Sequence, residues 1–146
     1  MNDDGIQNFY TQGPDAPKSI VIFLHGLGSN GQDLIALANA MGHIMPDTVF
    51  VSPDAPFACD MAPPGYPNSY QWFSLQDRDP AVMEVGIKNA APILEDFINK
   101  QLAHYGLGHS SLALCGFSQG TMMSLYKGTR LEKPIAGVLG YSGAFI

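Results

Sequence analysis

Residues 112–123 read LALCGFSQGTMM, and this stretch decides the fold. An apolar run typical of a buried strand is followed at once by residues typical of a helix, with Ser118 at the junction. Residues 116–120, GFSQG, fit the pattern G-x-S-x-G, which marks a serine on a sharp strand-to-helix turn. Glycine at positions 116 and 120 removes two side chains that would collide within such a turn. The stretch predicts that the Ser118 hydroxyl projects from the end of a strand and that the amide of Gln119 opens a helix and faces an oxyanion.

Apolar strands and amphipathic helices alternate on both sides of this turn. Strands are predicted at residues 6–10 (a short edge strand), 20–24 (a central strand), 48–51 and 134–141 (a buried strand). Helices are predicted from the Asn30 and Asp33 cap pair to Gly42, from Asp79 to Tyr105 with a bend at Pro92, and from the elbow to Gly128. Residues 54–75 show no period and are predicted to form a long ordered loop. The alternation predicts an α/β fold with a doubly wound, mostly parallel sheet.

Composition predicts one globular domain over residues 1–146, because 46% of the residues are hydrophobic and only 14% are charged. The formal net charge of −6 argues against a nucleic-acid partner, which needs a basic face. Cys59 and Cys115 provide no disulfide framework, which favours a reducing compartment. Residues 1–5 lack the pattern of a secretion signal, and no apolar run is long enough to span a membrane. A cytoplasmic location is the expectation.

Three segments in this order resemble the phospholipase/carboxylesterase family of α/β-hydrolases, which includes the acyl-protein thioesterases. They are residues 24–28 (LHGLG), the Trp72-Phe73 pair and residues 116–120 (GFSQG), and the resemblance covers essentially the whole chain. It implies an α/β-hydrolase-type sheet and hydrolysis of carboxylic esters or thioesters of acyl chains, without a metal or organic cofactor. It also implies that Ser118 is the nucleophile and that the backbone amides of Leu27 and Gln119 form the oxyanion hole. In this comparison His25 orients the oxyanion turn, and Gly26, Gly116 and Gly120 support the two turns.

The same resemblance makes the loop over residues 54–75 part of the acyl pocket. Trp72 and Phe73, together with Leu27, are therefore the candidates for contact with substrate. Ordinary packing of a proline-rich loop explains the aromatic residues equally well.

The sequence departs from the family after the elbow. In α/β-hydrolases the acid and the histidine of the triad follow the serine, but no Asp and no His follows Ser118 here. We therefore expect the fold to be incomplete at its C-terminal side, with the triad Asp and His absent from this chain. A serine without a base is a poor nucleophile, so the 146 residues alone are expected to be nearly inactive.

Earlier histidines are poor substitutes for the missing base. His109 precedes the elbow strand and is expected on the order of 20 Å below Ser118, since a strand rises about 3.3 Å per residue. His43 and His104 are expected at the C-terminal ends of helices and therefore on the same lower face. Only His25 is expected on the upper face, where Asp54, Asp77 and Asp79 supply carboxylates, so a Ser118–His25 pair stays open. The histidine spacings match no metal site.

A second interpretation is a non-catalytic fragment or shortened paralogue that binds an acyl ligand or a protein. In that case the strand over residues 135–141 lacks its usual neighbour, and an unpaired apolar edge invites a homodimer or a second chain.

Overall fold

Seven strands and four α-helices make up the computed structural model, which describes residues 5–146. The strands are β1 (Phe9–Gln12), β2 (Ser19–Leu24), β3 (Thr48–Pro53), β4 (Phe57–Ala58), β5 (Tyr70–Gln71), β6 (Leu112–Phe117) and β7 (Gly137–Tyr141). The helices are α1 (Gly31–Ile35), α2 (Ala38–Met41), α3 (Pro80–Tyr105) and α4 (Gln119–Gly128), and a 3-10 turn covers His109–Ser111. Residues 1–4 of the acidic N terminus lie outside the described residues.

The main sheet has the strand order β1-β3-β2-β6-β7. All its neighbours pair in parallel except β1, which is antiparallel to β3. The register aligns Leu24 of β2 with Gly116 of β6, so the turn after β2 and the turn after β6 leave the same end of the sheet. The prediction of a mostly parallel α/β sheet with β2 at its centre is confirmed.

Both faces of the sheet are covered, which explains why its central strands are apolar without alternation. On one face Ile20, Ile22 and Leu24 pack against α3 and α4. On the other face Val21 and Phe23 pack against residues of α1 and α2. The two layers of helix are those of a doubly wound fold.

Helix α3 begins and ends as its sequence predicts. The Asp79 side chain accepts a hydrogen bond from the amide of Ala81, with proline at the first helical position. Gly106 ends the helix in a left-handed conformation with φ 65°, which a residue without Cβ adopts at no steric cost. Pro92 lies within the helix, and the bend predicted there stays a prediction.

Three predicted boundaries differ in the structure. The edge strand covers Phe9–Gln12 rather than residues 6–10, because pairing with β3 selects its register. The helix expected up to Gly42 is divided into α1 and α2, although Asn30 caps it as predicted by accepting a bond from the Asp33 amide. The aperiodic loop contains a two-stranded hairpin of β4 and β5.

The last strand is shorter and more exposed than predicted. β7 begins at Gly137, and Leu139 and Tyr141 are 44% and 53% exposed, so the expectation of a buried strand is wrong. The physical reason is its place at the end of the strand order, where only β6 pairs with it. Within the described residues, its outer edge carries no neighbouring strand.

Candidate active site

Ser118 lies on a strained turn between β6 and α4. Its backbone has φ 51° and ψ −112°, a region that residues with a side chain rarely adopt, and its side chain is exposed. A Cβ at Gly120 would overlap the backbone carbonyl of Leu24, and a Cβ at Gly116 would overlap the backbone of Gly120. The two glycines are therefore required by close backbone approach, as their spacing predicts.

The end of β7 holds this turn in place. The amide of Ser118 donates to the carbonyl oxygen of Tyr141 at 2.9 Å. The Thr121 hydroxyl accepts from the Tyr141 amide at 3.1 Å and donates to the Tyr141 carbonyl at 3.2 Å. Because these bonds engage both the N–H and the C=O of Tyr141, the end of β7 contributes to the geometry of Ser118 itself.

The glycine-rich turn after β2 lies directly against the elbow. A Cβ built on Gly26 would be 3.4 Å from the Cβ of Ser118 and 3.2 Å from the carbonyl oxygen of Phe117. Gly28 has φ 83°, which permits the tight reversal that follows Leu27. The two turns meet at one rim of the sheet, as the parallel register requires.

Two backbone N–H groups at this rim, those of Leu27 and Gln119, have no hydrogen-bond partner among the described residues. Gln119 is the first residue of α4, where an N–H group has no partner inside its own helix. Leu27 lies at the tip of the glycine-rich turn and is half-buried. Among residues 5–146, no backbone hydrogen bond uses the N–H of either residue. Such free amides near a nucleophile can stabilise a developing oxyanion.

His25 is fully buried, and the backbone occupies both of its ring nitrogens. Its Nδ1 lies 2.7 Å from the carbonyl oxygen of Gly26, which can only accept, so Nδ1 carries the proton. Its Nε2 accepts a bond from the amide of Ala55 at 2.9 Å. Burial lowers the pKa of His25 below its ordinary value. With no lone pair free, His25 cannot take a proton from Ser118, and the Ser118–His25 pair is excluded.

The carboxylates expected near this rim have structural partners. Asp54 accepts from the amide of Gly31 at 2.7 Å. Asp77 accepts from the amide of Asp79, which itself caps α3. The carboxylates of Asp54, Asp77 and Asp79 therefore stabilise turns and helix starts by accepting backbone hydrogen bonds.

The remaining histidines lie away from Ser118. His104 contacts Tyr105 at the end of α3, and His109 opens the 3-10 turn before β6. His43 follows α2, whose C-cap is Gly42. The elbow serine therefore has no histidine base among the described residues, in agreement with the sequence.

The burial of Trp72 and Phe73 bears on the prediction that these two residues contact substrate. Both side chains belong to the apolar core, and Trp72 is 0% exposed. With Phe73 only 4% exposed as well, burial in this structure favours the packing explanation over a groove wall. Of the three substrate-contact candidates, only half-buried Leu27 has accessible surface.

Two contacts of this segment were missed by sequence reasoning. The Gln119 side chain accepts from the amide of Trp72 at 2.8 Å and donates to the carbonyl of Phe73 at 2.7 Å. The indole N–H of Trp72 donates to the carbonyl of His25 at 3.0 Å. No local signal could reveal these bonds, because they join residues 46 or 47 positions apart.

The described part of the chain contains no cluster of three or more His, Cys, Asp or Glu side chains that could hold a metal ion. None of its helices is both long and apolar enough to cross a membrane. A surface cleft of about 420 Å³ lies elsewhere, at the edge of the sheet, and is lined by Phe9, Thr11, Lys100, Gln101, His104 and Tyr105.

Comparisons with known proteins agree with this geometry. A family model described as phospholipase/carboxylesterase matches residues 8–146. Acyl-protein thioesterase 1 of Schizosaccharomyces pombe is 34% identical over 133 residues, which cover 88% of this chain and 57% of that protein. Esterase YpfH of Escherichia coli K12 is 27% identical over 140 residues, which cover 94% of this chain and 58% of that protein. The crystal structure of esterase PE8 matches with a TM-score of 0.79 and 39% identity, and the match covers 88% of this chain and 60% of that one. The chain thus spans between 57% and 60% of the length of these three proteins.

Proposed function

Because the chain belongs to the phospholipase/carboxylesterase family of α/β-hydrolases, we propose that it hydrolyses acyl esters or thioesters through an acyl-enzyme on Ser118. One observation carries the proposal. Ser118 is exposed on a strained elbow, and the turn that contains Leu27 lies against it. A serine used only for packing needs neither the strain nor the adjacent free amides.

The proposed reaction has two steps. The Ser118 oxygen attacks the acyl carbonyl, and the amides of Leu27 and Gln119 stabilise the negative charge on its oxygen. The alcohol or thiol leaves with a proton, and water then attacks the acyl-enzyme to release the acid and restore the serine. This chemistry requires no metal or organic cofactor.

Both steps need a base that residues 5–146 do not supply. We place this role on a histidine oriented by an aspartate, both from outside the present sequence, since no His or Asp follows Ser118. Without a base, the remaining rate enhancement is that of the oxyanion hole and of binding, about 10³–10⁴ over water in serine proteases. The chain alone is therefore proposed to be a weak esterase.

The substrate is proposed to be a small acyl ester or thioester, by analogy with the esterases and the acyl-protein thioesterase that the chain resembles. The location remains the cytoplasm predicted from the sequence. Neither the acyl length nor the preference between ester and thioester enters this proposal.

Covalent labelling tests the nucleophile. The chain is incubated with an alkyl fluorophosphonate, and the modified residue is identified by mass spectrometry. Because the chain supplies no base, we expect slow labelling over a long incubation, with one adduct on Ser118 and none in Ser118→Ala. The buried Ser124 is the internal control, because its hydroxyl is bonded to the carbonyl of Gly120. Equal labelling of the folded and the urea-unfolded chain would contradict the proposal.

Ester hydrolysis tests the role of the absent base. With p-nitrophenyl butyrate, the chain alone is expected to turn over slowly and Ser118→Ala more slowly still. Turnover as fast as that of a relative with its full length, and dependent on Ser118, would show that no further residues are required.

A non-catalytic binding module is the second candidate. It is favoured by the lack of a histidine base for Ser118 and by the outer edge of β7, which has no neighbouring strand among residues 5–146 and where Leu139 and Tyr141 are exposed. In this case a second copy or another chain pairs with β7. Reading the gene beyond codon 146 separates the two candidates, because an open frame encoding Asp and His favours the enzyme. Light scattering tests the edge, since a monodisperse stable monomer contradicts pairing through β7.

A further inference from the structure

We propose that the side chain of Gln119 is a positioning residue that sets the distance between the two oxyanion amides, acting through Trp72. The inference rests on the proposed function and deepens it. The resemblance gives a role only to the backbone amide of Gln119. In the structure, the side chain of Gln119 also binds residues 72–73, and residues 69–72 bind the turn that contains the Leu27 amide.

The first link joins the elbow helix to the segment after β5. The amide group of Gln119 uses its oxygen for the N–H of Trp72 at 2.8 Å and its nitrogen for the carbonyl of Phe73 at 2.7 Å. Both donor and acceptor are thus committed to one short stretch of backbone. Gln119 is 0% exposed, so water does not compete for these bonds.

The second link joins that segment to the start of the oxyanion turn. The Trp72 indole donates to the carbonyl of His25 at 3.0 Å, and this carbonyl belongs to the peptide that leads into Gly26. The His25 ring is held in turn by Ala55 and Gly26. The beginning of the turn therefore cannot move without breaking a buried bond to Trp72.

The third link holds the other end of the turn with the same segment. The amide of Gly28 donates to the carbonyl of Tyr70 at 2.8 Å, and the amide of Tyr70 donates to the carbonyl of Ser29 at 2.9 Å. The Ser69 hydroxyl donates to the carbonyl of Gly28 at 2.9 Å. Leu27, with its free N–H, lies between these two anchored points.

Residues 69–72 thus hold both ends of the oxyanion turn, and the Gln119 side chain holds residues 72–73. The two amides belong to segments far apart in sequence, and the Gln119 side chain connects them in addition to the β2–β6 ladder, which aligns Leu24 with Gly116. A displacement of about 1 Å at such a site can reduce the rate about 100-fold. An apolar side chain at position 119 would fill the space but would leave the Trp72 amide and the Phe73 carbonyl unpaired.

Amide hydrogen exchange and covalent labelling test the inference on the whole chain. In Gln119→Met we expect the Gly28 amide to exchange at least about 10-fold faster, while the Ser118 amide, bonded to Tyr141, keeps its protection. The rate of fluorophosphonate labelling at Ser118 is expected to fall about 100-fold. The matched control is Gln101→Met, because Gln101 is likewise a buried glutamine, 6% exposed, that lies on α3 and lines the cleft at the edge of the sheet.

A conservative variant provides the rescue. In Gln119→Glu, the protonated carboxyl offers one donor and one acceptor, as the amide does, whereas the ionised form has no donor for Phe73. The ratio of the Gly28 exchange rate in the variant to that in the wild-type chain, measured at the same pH, should therefore be close to 1 at low pH. This ratio should rise as the carboxyl ionises. Trp72→Phe, which removes the bond to His25 together with part of a fully buried ring, serves if Gln119→Met does not fold, and the same selective loss of protection at Gly28 is expected.

Three outcomes overturn the inference: unchanged Gly28 exchange in Gln119→Met, an equal acceleration at Gly28 and Ser118, or the same effect in Gln101→Met. An equal acceleration would indicate general destabilisation and not positioning. If Ser118 of the wild-type chain is labelled no faster than a serine of the urea-unfolded chain, the result contradicts the proposed function instead, and Gly28 exchange still decides the geometry.

Discussion

Replacing Ser118 by glycine should make the protein more stable than replacing it by alanine. Both changes delete a hydroxyl that makes no capping bond. The difference in the free energy of unfolding between the two variants therefore reports the effect of the backbone conformation at position 118. A residue with a side chain at φ 51° and ψ −112° carries a strain of about 1–3 kcal/mol. Glycine relieves this strain but costs roughly 0.5–1 kcal/mol of chain entropy. The net expectation is that the free energy of unfolding of Ser118→Gly is higher than that of Ser118→Ala by about 0–2.5 kcal/mol, with a central value of about 1 kcal/mol.

Urea unfolding followed by circular dichroism measures this difference. Ser110 is the matched control, because it is exposed in the 3-10 turn and its φ is not among the positive values of the described non-glycine residues. There Ser110→Gly should be less stable than Ser110→Ala. If glycine at position 118 is no more stable than alanine, the elbow is not strained, and the argument that Ser118 is held for chemistry loses its physical basis.

Three further predictions concern the surroundings of the elbow. Thr121→Val removes both bonds to Tyr141 and should lower the free energy of unfolding, measured by urea titration, by about 1–3 kcal/mol. Thr121→Ser keeps the hydroxyl and should lose less stability. Equal losses in the two variants would contradict the role of these bonds. His25 has a pKa depressed by burial, so its contribution to stability is complete above the ordinary pKa of about 6.5 and is lost as the pH falls through the depressed value. The midpoint of urea unfolding should therefore fall more between pH 7 and pH 5 in the wild-type chain than in His25→Asn, and parallel curves would contradict the buried neutral imidazole. Gly120→Ala should cost at least about 3 kcal/mol in thermal unfolding, because its Cβ would overlap the Leu24 backbone, whereas Gly137→Ala meets no atom within 4 Å and should be nearly neutral.

Much of the fold follows from short-range patterns. The unbroken apolar runs of β2 and β6 predict buried parallel strands, and Asp79 and Gly106 predict both ends of α3. The exceptions depend on distant partners. The register of β1 depends on β3, some 40 residues later, and the exposure of β7 depends on how many strands pair with it. No local pattern contains that information.

The candidate site, like the fold, has features that the sequence predicts and features that depend on distant partners. The position of Ser118 on its elbow and the glycines beside it could be predicted, because the steric limits of a tight turn act over five residues. The exclusion of His25 as a base could not, since it depends on the amide of Ala55, 30 residues away. The choice between a groove wall and ordinary packing for Trp72 likewise could not be made from the sequence, since it depends on contacts with His25 and Gln119, 47 residues away.

The amino-acid sequence by itself determined the α/β order, the strained corner at Ser118 and the lack of any histidine after it, since each depends on neighbouring residues or on simple content. Only the tertiary structure decided which polar groups remain free at that corner. Hydrogen bonds between segments 30 to 47 residues apart occupy His25, Trp72 and the Gln119 side chain and leave the amides of Leu27 and Gln119 open. Such pairing is a property of chain packing, because a polar group becomes unavailable only when the fold brings it a partner.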